Sequence, residues 1–360
     1  MTTIHFAYTV YDTCGYAAQS GEPPWRDLDI NRLRWPTPVH APFSITRHVL
    51  SALRRHYRTK LYEISEHAIA ELEPGDFFLG HLFPQAGAFG GERMVPDLET
   101  VGWRTLERFN KSQTCVIQPF VYCPDIVEMD WLEQAFGPLC ENFIAITGEY
   151  WERTWWDSPL SKTNRNFLRI NMCIDPQSYP WIRKSFRPKG KRRFLYIGHS
   201  RPYKNTAQLE AIAQRYPGFE GGCLCNLKGW SQLTNQALAL TPETMAQLAE
   251  HFDVFLSTST GDAQATTILE QMASGFPVAC TPQSGYERPT IIKLDPHDTE
   301  YNLHQIHQLQ SMEEEQLMAL ATANRQLVET EYTWDYAMGK LIPFVDRLVK
   351  EQAGSRSVSL

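Results

Sequence analysis

Short apolar runs alternate with helix-period stretches along most of the chain. Runs such as 4–10, 75–83 and 114–122 have the length and apolar content of buried strands, whereas 44–57 repeats its apolar residues at helical spacing. The other predicted elements of the first half are strands at 60–64, 142–148 and 167–174, helices at 103–109, 129–139 and 150–156, and a long Trp- and Pro-rich loop up to residue 42. This alternation predicts a parallel sheet with helices on both faces.

The alternation restarts after a basic segment. Residues 183–193 read RKSFRPKGKRR, and a new apolar strand, 193–198, follows directly. The remaining predicted elements are strands at 223–227, 253–259, 276–281 and 290–294, and helices at 205–216, 244–252, 266–275, 311–332 and 334–349. We therefore expect two Rossmann-like α/β domains facing across a cleft, 1–185 and 186–333, with a C-terminal helix in 334–360 that crosses back to the first domain.

Charge and cysteine content narrow the class of protein. The 360 residues carry a net charge of -7, which argues against a protein that neutralises nucleic-acid phosphates over its whole surface. The N-terminus lacks the pattern of a signal peptide, and no apolar run reaches membrane-spanning length. The eight dispersed cysteines indicate a reduced, cytoplasmic protein. Cys223 and Cys225 are expected on one face of a strand rather than in a metal site.

The stretch STGDAQATTILEQMASGFPVAC, residues 259–280, carries the candidate chemistry. It joins a predicted strand to a predicted helix, and open α/β sheets bind ligands at such junctions, where helix N–H groups are free. Asp262 and Glu270 would lie about 12 Å apart along a helix, too far to share one metal ion. They could instead bracket a nucleotide sugar, with its diphosphate on the amides near residues 265–267 and its hydroxyls bonded to the carboxylates.

Several further motifs accompany this stretch. They are Asn171-Met-Cys-Ile-Asp175, Gly198-His-Ser-Arg-Pro-Tyr-Lys204-Asn205, Gly285-Tyr-Glu287 and Tyr332-Thr-Trp334. With Ser259, Asp262, Glu270 and the turn Ala273-Ser-Gly-Phe-Pro-Val278, they span roughly residues 165–340. In this combination the chain resembles the retaining GT-B glycosyltransferases of family 4, also called group 1. In the first half, only the order of strands and helices is similar.

The resemblance implies an enzyme that moves a sugar from a nucleoside-diphosphate-sugar donor to an acceptor hydroxyl with retention of anomeric configuration. The first domain would bind the acceptor and the second the donor, and no metal ion or other cofactor is expected. Lys204 and Asp262 are the catalytic candidates of the second domain. The full donor-binding set is Gly198, Arg201, Lys204, Ser259, Asp262, Ala265, Thr266, Thr267 and Glu270.

By the same resemblance, Lys204 would neutralise the donor diphosphate and Glu270 would hold the ribose hydroxyls. Asp262 would face the transferred sugar. The chain departs from the family pattern where His199 stands in place of an arginine, and Arg201 is a candidate substitute for it. Asp262 is itself a departure, since the family has Glu at this position.

Each candidate also has a simpler interpretation. Asp262 could be a helix N-cap, a role in which Asp is favoured. Lys204 could be a solvated loop residue and Glu270 a surface acid, although an unpaired carboxylate among apolar neighbours would be costly. His81, at the predicted carboxyl edge of strand 75–83, is a third catalytic candidate from its position, and a structural histidine is its alternative.

The expected partners are the nucleotide-sugar donor and a sugar, glycan or lipid-linked acceptor. The helix 44–57 carries several arginines, and its Ile45, Val49, Leu53 and Tyr57 are expected to face a core. Together with the basic segment 183–193, these arginines leave open a peripheral contact with the inner face of a membrane. A solvated surface is the alternative for both. Trp151, Trp155 and Trp156 could serve such a contact, stack on sugars or pack in a core.

Two other functions remain open at this point. A nucleotide-sugar epimerase can use a similar two-domain fold and would convert the donor without any acceptor. A non-catalytic sugar-nucleotide-binding protein would bind the donor without turning it over, and it would explain why Asp262 and His199 stand in place of the family's residues.

Overall fold

A computed structural model describes residues 2–8, 41–63, 73, 75–81, 109–118, 139–157, 166–233 and 241–356. Within this part the chain forms two compact units. The first comprises Met1–Ile146, Trp155–Ile170 and Ala337–Leu360, and the second comprises Thr147–Thr154 and Asn171–Tyr336. Residues 171–185 are predicted from the sequence to belong to the first domain, but in the structure they cluster with the second unit.

The first unit is built on a six-stranded parallel sheet. Its strands are β1 (Thr3–Tyr8), β2 (Arg58–Glu63), β3 (Phe77–His81), β4 (Thr114–Gln118), β5 (Asn142–Ile146) and β6 (Asn166–Ile170). They are ordered β2-β1-β3-β4-β5-β6, and every neighbouring pair is parallel. Helix α1 (Ala41–Leu53) buries Ile45, Val49 and Leu53, as its apolar spacing predicts.

The second unit has its own six-stranded parallel sheet. Its strands are β7 (Phe194–Tyr196), β8 (Gly221–Cys223), β9 (Ser231–Gln232), β10 (Val254–Ser257), β11 (Val278–Cys280) and β12 (Ile292–Lys293). The order is β12-β11-β10-β7-β8-β9. The core packed around this sheet includes Phe194, Leu209, Val254 and Leu256. Together the two parallel sheets confirm the predicted architecture of two Rossmann-like α/β domains.

The other described helices follow the predicted pattern with one addition. They are α2 (Glu149–Asp157), α3 (Thr206–Arg215), α4 (Pro242–His251), α5 (Thr266–Ala273), α6 (Thr299–Ser311), α7 (Glu314–Glu331) and α8 (Trp334–Arg356). Helix α6 was not predicted from the sequence. In α8, the residues predicted to face a core are buried: Trp334, Met338, Leu341, Val345 and Leu348. The predicted helices 103–109 and 129–139 and the loop before residue 42 lie essentially outside the described residues.

The predicted strand 223–227 is shorter than expected. Strand β8 ends at Cys223, so Cys225 lies beyond it in a bend. The Cys223 thiol donates a hydrogen bond to the Cys225 carbonyl at 2.7 Å. Because the chain turns here, the prediction that both cysteines project from one face of a strand is wrong.

The basic segment 183–193 packs onto the second unit through most of its cations. Arg187 contacts Asp253 at 3.4 Å, and Arg193 contacts Glu220 at 2.5 Å. Lys189 pairs with Glu313. Buried Arg183 donates to the carbonyls of Gly275 and Ala249, and buried Arg192 donates to the carbonyl of Met312. These contacts use most of the segment's charge within the unit, and Arg183 and Arg192 are buried rather than solvated. No described helix is long and apolar enough to cross a membrane.

Candidate donor site at the sheet switch point

The candidate residues of the second unit gather at the point where strand order reverses. Strand β7 lies beside β10, with Phe194 opposite Val254 and Leu195 opposite Phe255. From β7 the chain first builds outward through β8 and β9, then returns to build β10, β11 and β12 on the other side. Ligands of open α/β sheets bind at the carboxyl ends of the strands at such a switch point. The loops after β7 and β10 both emerge there.

The loop after β7 is held in one conformation by close contacts. A Cβ on Gly198 would lie 2.5 Å from the Tyr196 hydroxyl oxygen, which itself donates to the His199 carbonyl at 2.9 Å. Asn205 ends the loop with φ 50°, and its side-chain amide donates to the Pro296 carbonyl at 2.8 Å. Lys204 lies in the short 3-10 turn Pro202–Lys204 between them. Its backbone is therefore fixed at the sheet edge.

The two loops are joined by backbone and side-chain bonds. The Ser259 hydroxyl donates to the Tyr203 carbonyl at 2.7 Å, and the amide of Thr260 donates to the same carbonyl at 2.8 Å. The Lys204 ammonium pairs with the Asp262 carboxylate, and the two side chains are 14% and 19% exposed. The structure thus brings Lys204, Ser259 and Asp262 together, although the Lys204–Asp262 ion pair itself was not foreseen.

Asp262 does not cap the following helix. The N-cap of α5 is Ala265, which has no side-chain capping bond, and the helix begins with Thr266 and Thr267. Asp262 is held instead by its backbone, since its amide donates to the Gln283 carbonyl and its carbonyl accepts from the Trp151 indole, both at 2.9 Å. The capping alternative is excluded, and the side chain is placed before an uncapped helix N-terminus.

Glu270 lies in the second turn of α5 and is almost fully buried, at 4% exposure. Its Oε2 atom has no hydrogen-bond partner among the described residues. Burial raises the pKa of Glu270 to about 7, and the hydroxyl of Tyr179, which is also buried, partly opposes that rise. The surface-acid alternative is therefore excluded, because the carboxylate is buried.

His199 adds an uncharged ring to the loop after β7. Its Nε2 is 2.9 Å from the Tyr203 hydroxyl, and its Nδ1 accepts from the Arg201 amide at 3.3 Å. Burial, followed by the charges of Lys204 and Arg201, lowers the pKa of His199 to about 4. The ring is therefore neutral at pH 7, and the loop's positive charge comes from Arg201 and Lys204.

The remaining candidates are placed as follows. His81 is the last residue of β3, in the first unit, and its side chain lies outside the described residues. Trp151 is buried and bonds to the Asp262 loop, so it packs in a core, whereas the side chains of Trp155 and Trp156 are not described. In the described ranges, no group of three or more His, Cys, Asp or Glu side chains could hold a metal ion.

Three contributors to the site were missed by sequence reasoning. The Tyr179 hydroxyl lowers the pKa of Glu270, and the Trp151 indole donates to the Asp262 carbonyl. Gln264 accepts from the Met172 amide at 2.5 Å and donates to the Gly285 carbonyl at 3.2 Å. Trp151 and Tyr179 lie far before the acids that they support along the chain, and neither belongs to a recognisable motif.

Comparison with known proteins supports the fold. No family model matches the sequence, and no curated protein sequence does. Among solved structures, sucrose-phosphate synthase from Thermosynechococcus elongatus is similar over 98% of this chain and 100% of its own, with a TM-score of 0.62 and 13% identity. Anabaena HepE, in complex with UDP and glucose, is similar over 96% of this chain and 100% of its own, with a TM-score of 0.57 and 12% identity.

A third similar structure is longer than this chain. A point mutant of S. aureus TarM, in complex with fondaparinux, alpha-GlcNAc-glycerol and UDP, has a TM-score of 0.50 and 13% identity. The likeness covers 75% of this chain and 55% of TarM, so the chain spans little more than half the length of that protein. These neighbours are glycosyltransferases, and this chain shares their GT-B fold.

Gly285 is predicted to be essential for closing the Asp262 loop. It has φ +89°, and an added Cβ would lie 2.0 Å from the Ala263 carbonyl oxygen, whereas Gly218 has φ +72° and open space around it. We expect Gly285→Ala and Gly218→Ala to share a backbone cost of roughly 1–2 kcal/mol. Gly285→Ala should lose about 1–3 kcal/mol more through overpacking. Urea unfolding of the two variants measures the difference, and equal losses would contradict this loop geometry.

Proposed function

We propose that this protein is a retaining glycosyltransferase of the family 4 type, which transfers a sugar from a nucleoside-diphosphate sugar to an acceptor hydroxyl. The observation that carries the proposal is Glu270, a buried carboxylate with an unsatisfied oxygen, on the helix that follows the switch-point loops. A buried acid in this state is costly for stability alone. A ligand with hydroxyl groups, such as the ribose of a nucleotide, would satisfy it.

Lys204 and the start of α5 are the proposed diphosphate site. In the structure Lys204 is paired with Asp262, so the ion pair places an ammonium group at the edge where a diphosphate would lie. The amides at Ala265, Thr266 and Thr267 begin a helix without a side-chain cap, and a helix N-terminus favours anions. Arg201, on the same loop, adds a second positive charge.

These groups would stabilise the leaving diphosphate during transfer. The bond from the sugar C1 to the diphosphate oxygen breaks while the bond from C1 to the acceptor oxygen forms on the same face. The acceptor proton passes to the departing diphosphate, so the anomeric configuration is retained. Lys204 and the helix amides stabilise the negative charge that develops on the leaving group, which is the reason to propose a reaction without a divalent metal ion. Asp262 would orient the transferred sugar through its hydroxyl groups.

The donor and acceptor are proposed only by class. HepE and TarM, two of the structural neighbours, were each solved with UDP, which makes a UDP-sugar the first donor to test. The acceptor would be a sugar, a glycan or a lipid-linked hydroxyl bound by the first unit, where His81 stays a candidate. The described cysteines are free, which fits the proposed cytoplasmic location.

The proposal predicts metal-independent binding of a nucleotide sugar. In a thermal-shift panel of UDP-, GDP-, ADP- and TDP-sugars, one donor at 100 times its Kd should stabilise the protein by about 2.7 kcal/mol, equally with and without EDTA. Lys204→Met should remove most of this shift, because it removes a charged hydrogen-bond donor. Lys293→Met, at an exposed lysine, is the matched control. The absence of any shift across the panel would sink the function, and a shift abolished by EDTA would sink its metal independence.

Asp262→Asn is predicted to separate nucleotide binding from sugar transfer. Removing the carboxylate frees Lys204 from its ion pair, so affinity for UDP should stay equal or rise. Turnover of the intact UDP-sugar should fall roughly ten- to a hundred-fold, because a charged acceptor for the sugar hydroxyls is lost. Calorimetry with UDP and kcat/KM for the donor give the two numbers. Parallel losses in both would remove Asp262 from the sugar site.

A further inference from the structure

Trp151 holds the backbone of Asp262 through its indole. The ring is buried, at 3% exposure, and its N–H donates to the Asp262 carbonyl at 2.9 Å and to the Gln283 carbonyl at 3.2 Å. The Gln283 carbonyl also accepts from the Asp262 amide at 2.9 Å. Both backbone polar groups of Asp262 are therefore engaged, and the direction in which its side chain leaves the backbone is fixed.

The chain that leads into Trp151 is fixed against the same loop. The Gly148 amide donates to the Ala263 carbonyl at 3.2 Å, and a Cβ on Gly148 would lie 2.0 Å from the Gly285 carbonyl oxygen. The segment Thr147–Thr154 belongs to the second unit, so all these contacts lie within one unit. Backbone contact thus sets the place from which the indole reaches the loop.

The other side chains of this segment differ in how firmly they are held. The Tyr150 ring packs edge-on against the Trp151 ring, with 4.8 Å between centroids, and its hydroxyl accepts from the Gln283 side-chain amide at 3.2 Å. Arg153 pairs with Glu287 at 2.5 Å, but its side chain is 60% exposed. Exposed ion pairs contribute little to stability, whereas a buried carbonyl that loses its donor is costly. The indole bond is therefore the contact that can set the position of the loop.

We propose that Trp151 is a positioning residue for Asp262, and that its indole N–H holds the backbone from which the carboxylate is presented to the transferred sugar. The inference rests on the proposed function for its ligand. Hydrogen bonds weaken steeply with distance and angle, so a carboxylate on a displaced loop would lose its bonds to sugar hydroxyls. Lys204 is placed by the loop after β7 and Glu270 by helix α5, so the proposed nucleotide contacts do not depend on Trp151.

Trp151→Phe separates the two ends of the donor, because it removes the indole N–H and keeps an aromatic ring. Affinity for UDP-glucose should fall roughly tenfold, since the hydrogen bonds of a charged acceptor are weakened. Affinity for UDP, which lacks the sugar, should stay within about twofold of wild type because the groups that would bind it keep their places. Calorimetry with UDP and with UDP-glucose gives both numbers.

Two single variants control for general damage. Trp230 is also buried in the second unit, and its indole donates to the Leu209 carbonyl at 3.0 Å. Trp230→Phe thus removes the same atoms and the same kind of bond away from the Asp262 loop, and it should change neither affinity. Arg153→Met, on the same helix as Trp151 but at an exposed ion pair, should also leave both affinities unchanged.

A double variant tests whether Trp151 acts through Asp262. In an Asp262→Asn background, adding Trp151→Phe should weaken UDP-glucose binding by less than about twofold, because the carboxylate that Trp151 positions is already absent. A residue that served only to pack the unit would instead cause the same loss in both backgrounds.

Hydrogen exchange tests the positioning without any ligand. In the free protein the Asp262 amide is bonded to the Gln283 carbonyl and the Thr260 amide to the Tyr203 carbonyl. Exchange in the peptide 259–265 should be roughly fivefold faster in Trp151→Phe, because loss of the indole bond makes local opening easier. Trp230→Phe should exchange this peptide at the wild-type rate.

The outcomes separate this inference from the proposed function. Wild-type exchange in Trp151→Phe, equal changes in the affinities for UDP and UDP-glucose, or an undiminished loss in the double variant would overturn the role of Trp151. If exchange became faster but wild type bound neither UDP nor UDP-glucose, Trp151 would still hold the loop and the proposed use of a UDP-sugar would fall. Faster exchange together with a selective loss of UDP-glucose affinity supports both.

Discussion

The arrangement of the second unit depends on a carboxylate that water hardly reaches. Glu270 is 4% exposed, and one of its oxygens has no partner among the described residues. Burying a charge in this way lowers stability unless hydrogen bonds or a ligand compensate for it. Arg325 ties the end of α5 to the segment that carries Tyr179, because its Nη1 donates to the carbonyls of Ala273 and Tyr179. The unsatisfied oxygen is the observation that supports the proposed ligand at this sheet edge.

The switch point explains why the other candidates meet beside this acid. Parallel neighbours β7 and β10 deliver their following loops to one edge, and the Tyr203 carbonyl joins those loops by accepting from Ser259 and Thr260. Close backbone contact at Gly285 shapes the Asp262 loop. Lys204 and Asp262 neutralise each other's charge in the ion pair. The proposed nucleotide-sugar donor would engage the two side chains separately. Topology thus positions the loops, and small residues and carbonyls set their conformation.

Sequence reasoning predicted the parts of this account that depend on local pattern. Alternating apolar runs predict both parallel sheets, and motif spacing locates the loops that carry Lys204 and Asp262. Contacts between distant segments could not be predicted, which is why the bond from Trp151 to the Asp262 carbonyl and the ion pair of Lys204 were missed. The error at Cys225 arose because the strand was predicted too long: β8 has three residues, and the chain turns after Cys223. Helix α6 was overlooked because its sequence, TEYNLHQIHQLQS, has few apolar residues to mark a period.

The measurement that tests the central claim most directly is the pH dependence of stability for Glu270→Gln. In wild type the pKa of Glu270 is raised above its unfolded value to about 7, so the group stabilises the folded state at low pH and loses that contribution as pH rises through 7. Between pH 5 and pH 8 wild type should lose about 2 kcal/mol of unfolding free energy relative to the variant. The variant should at the same time bind UDP-glucose at least tenfold more weakly. Parallel pH profiles of stability, with unchanged nucleotide affinity, would contradict the account.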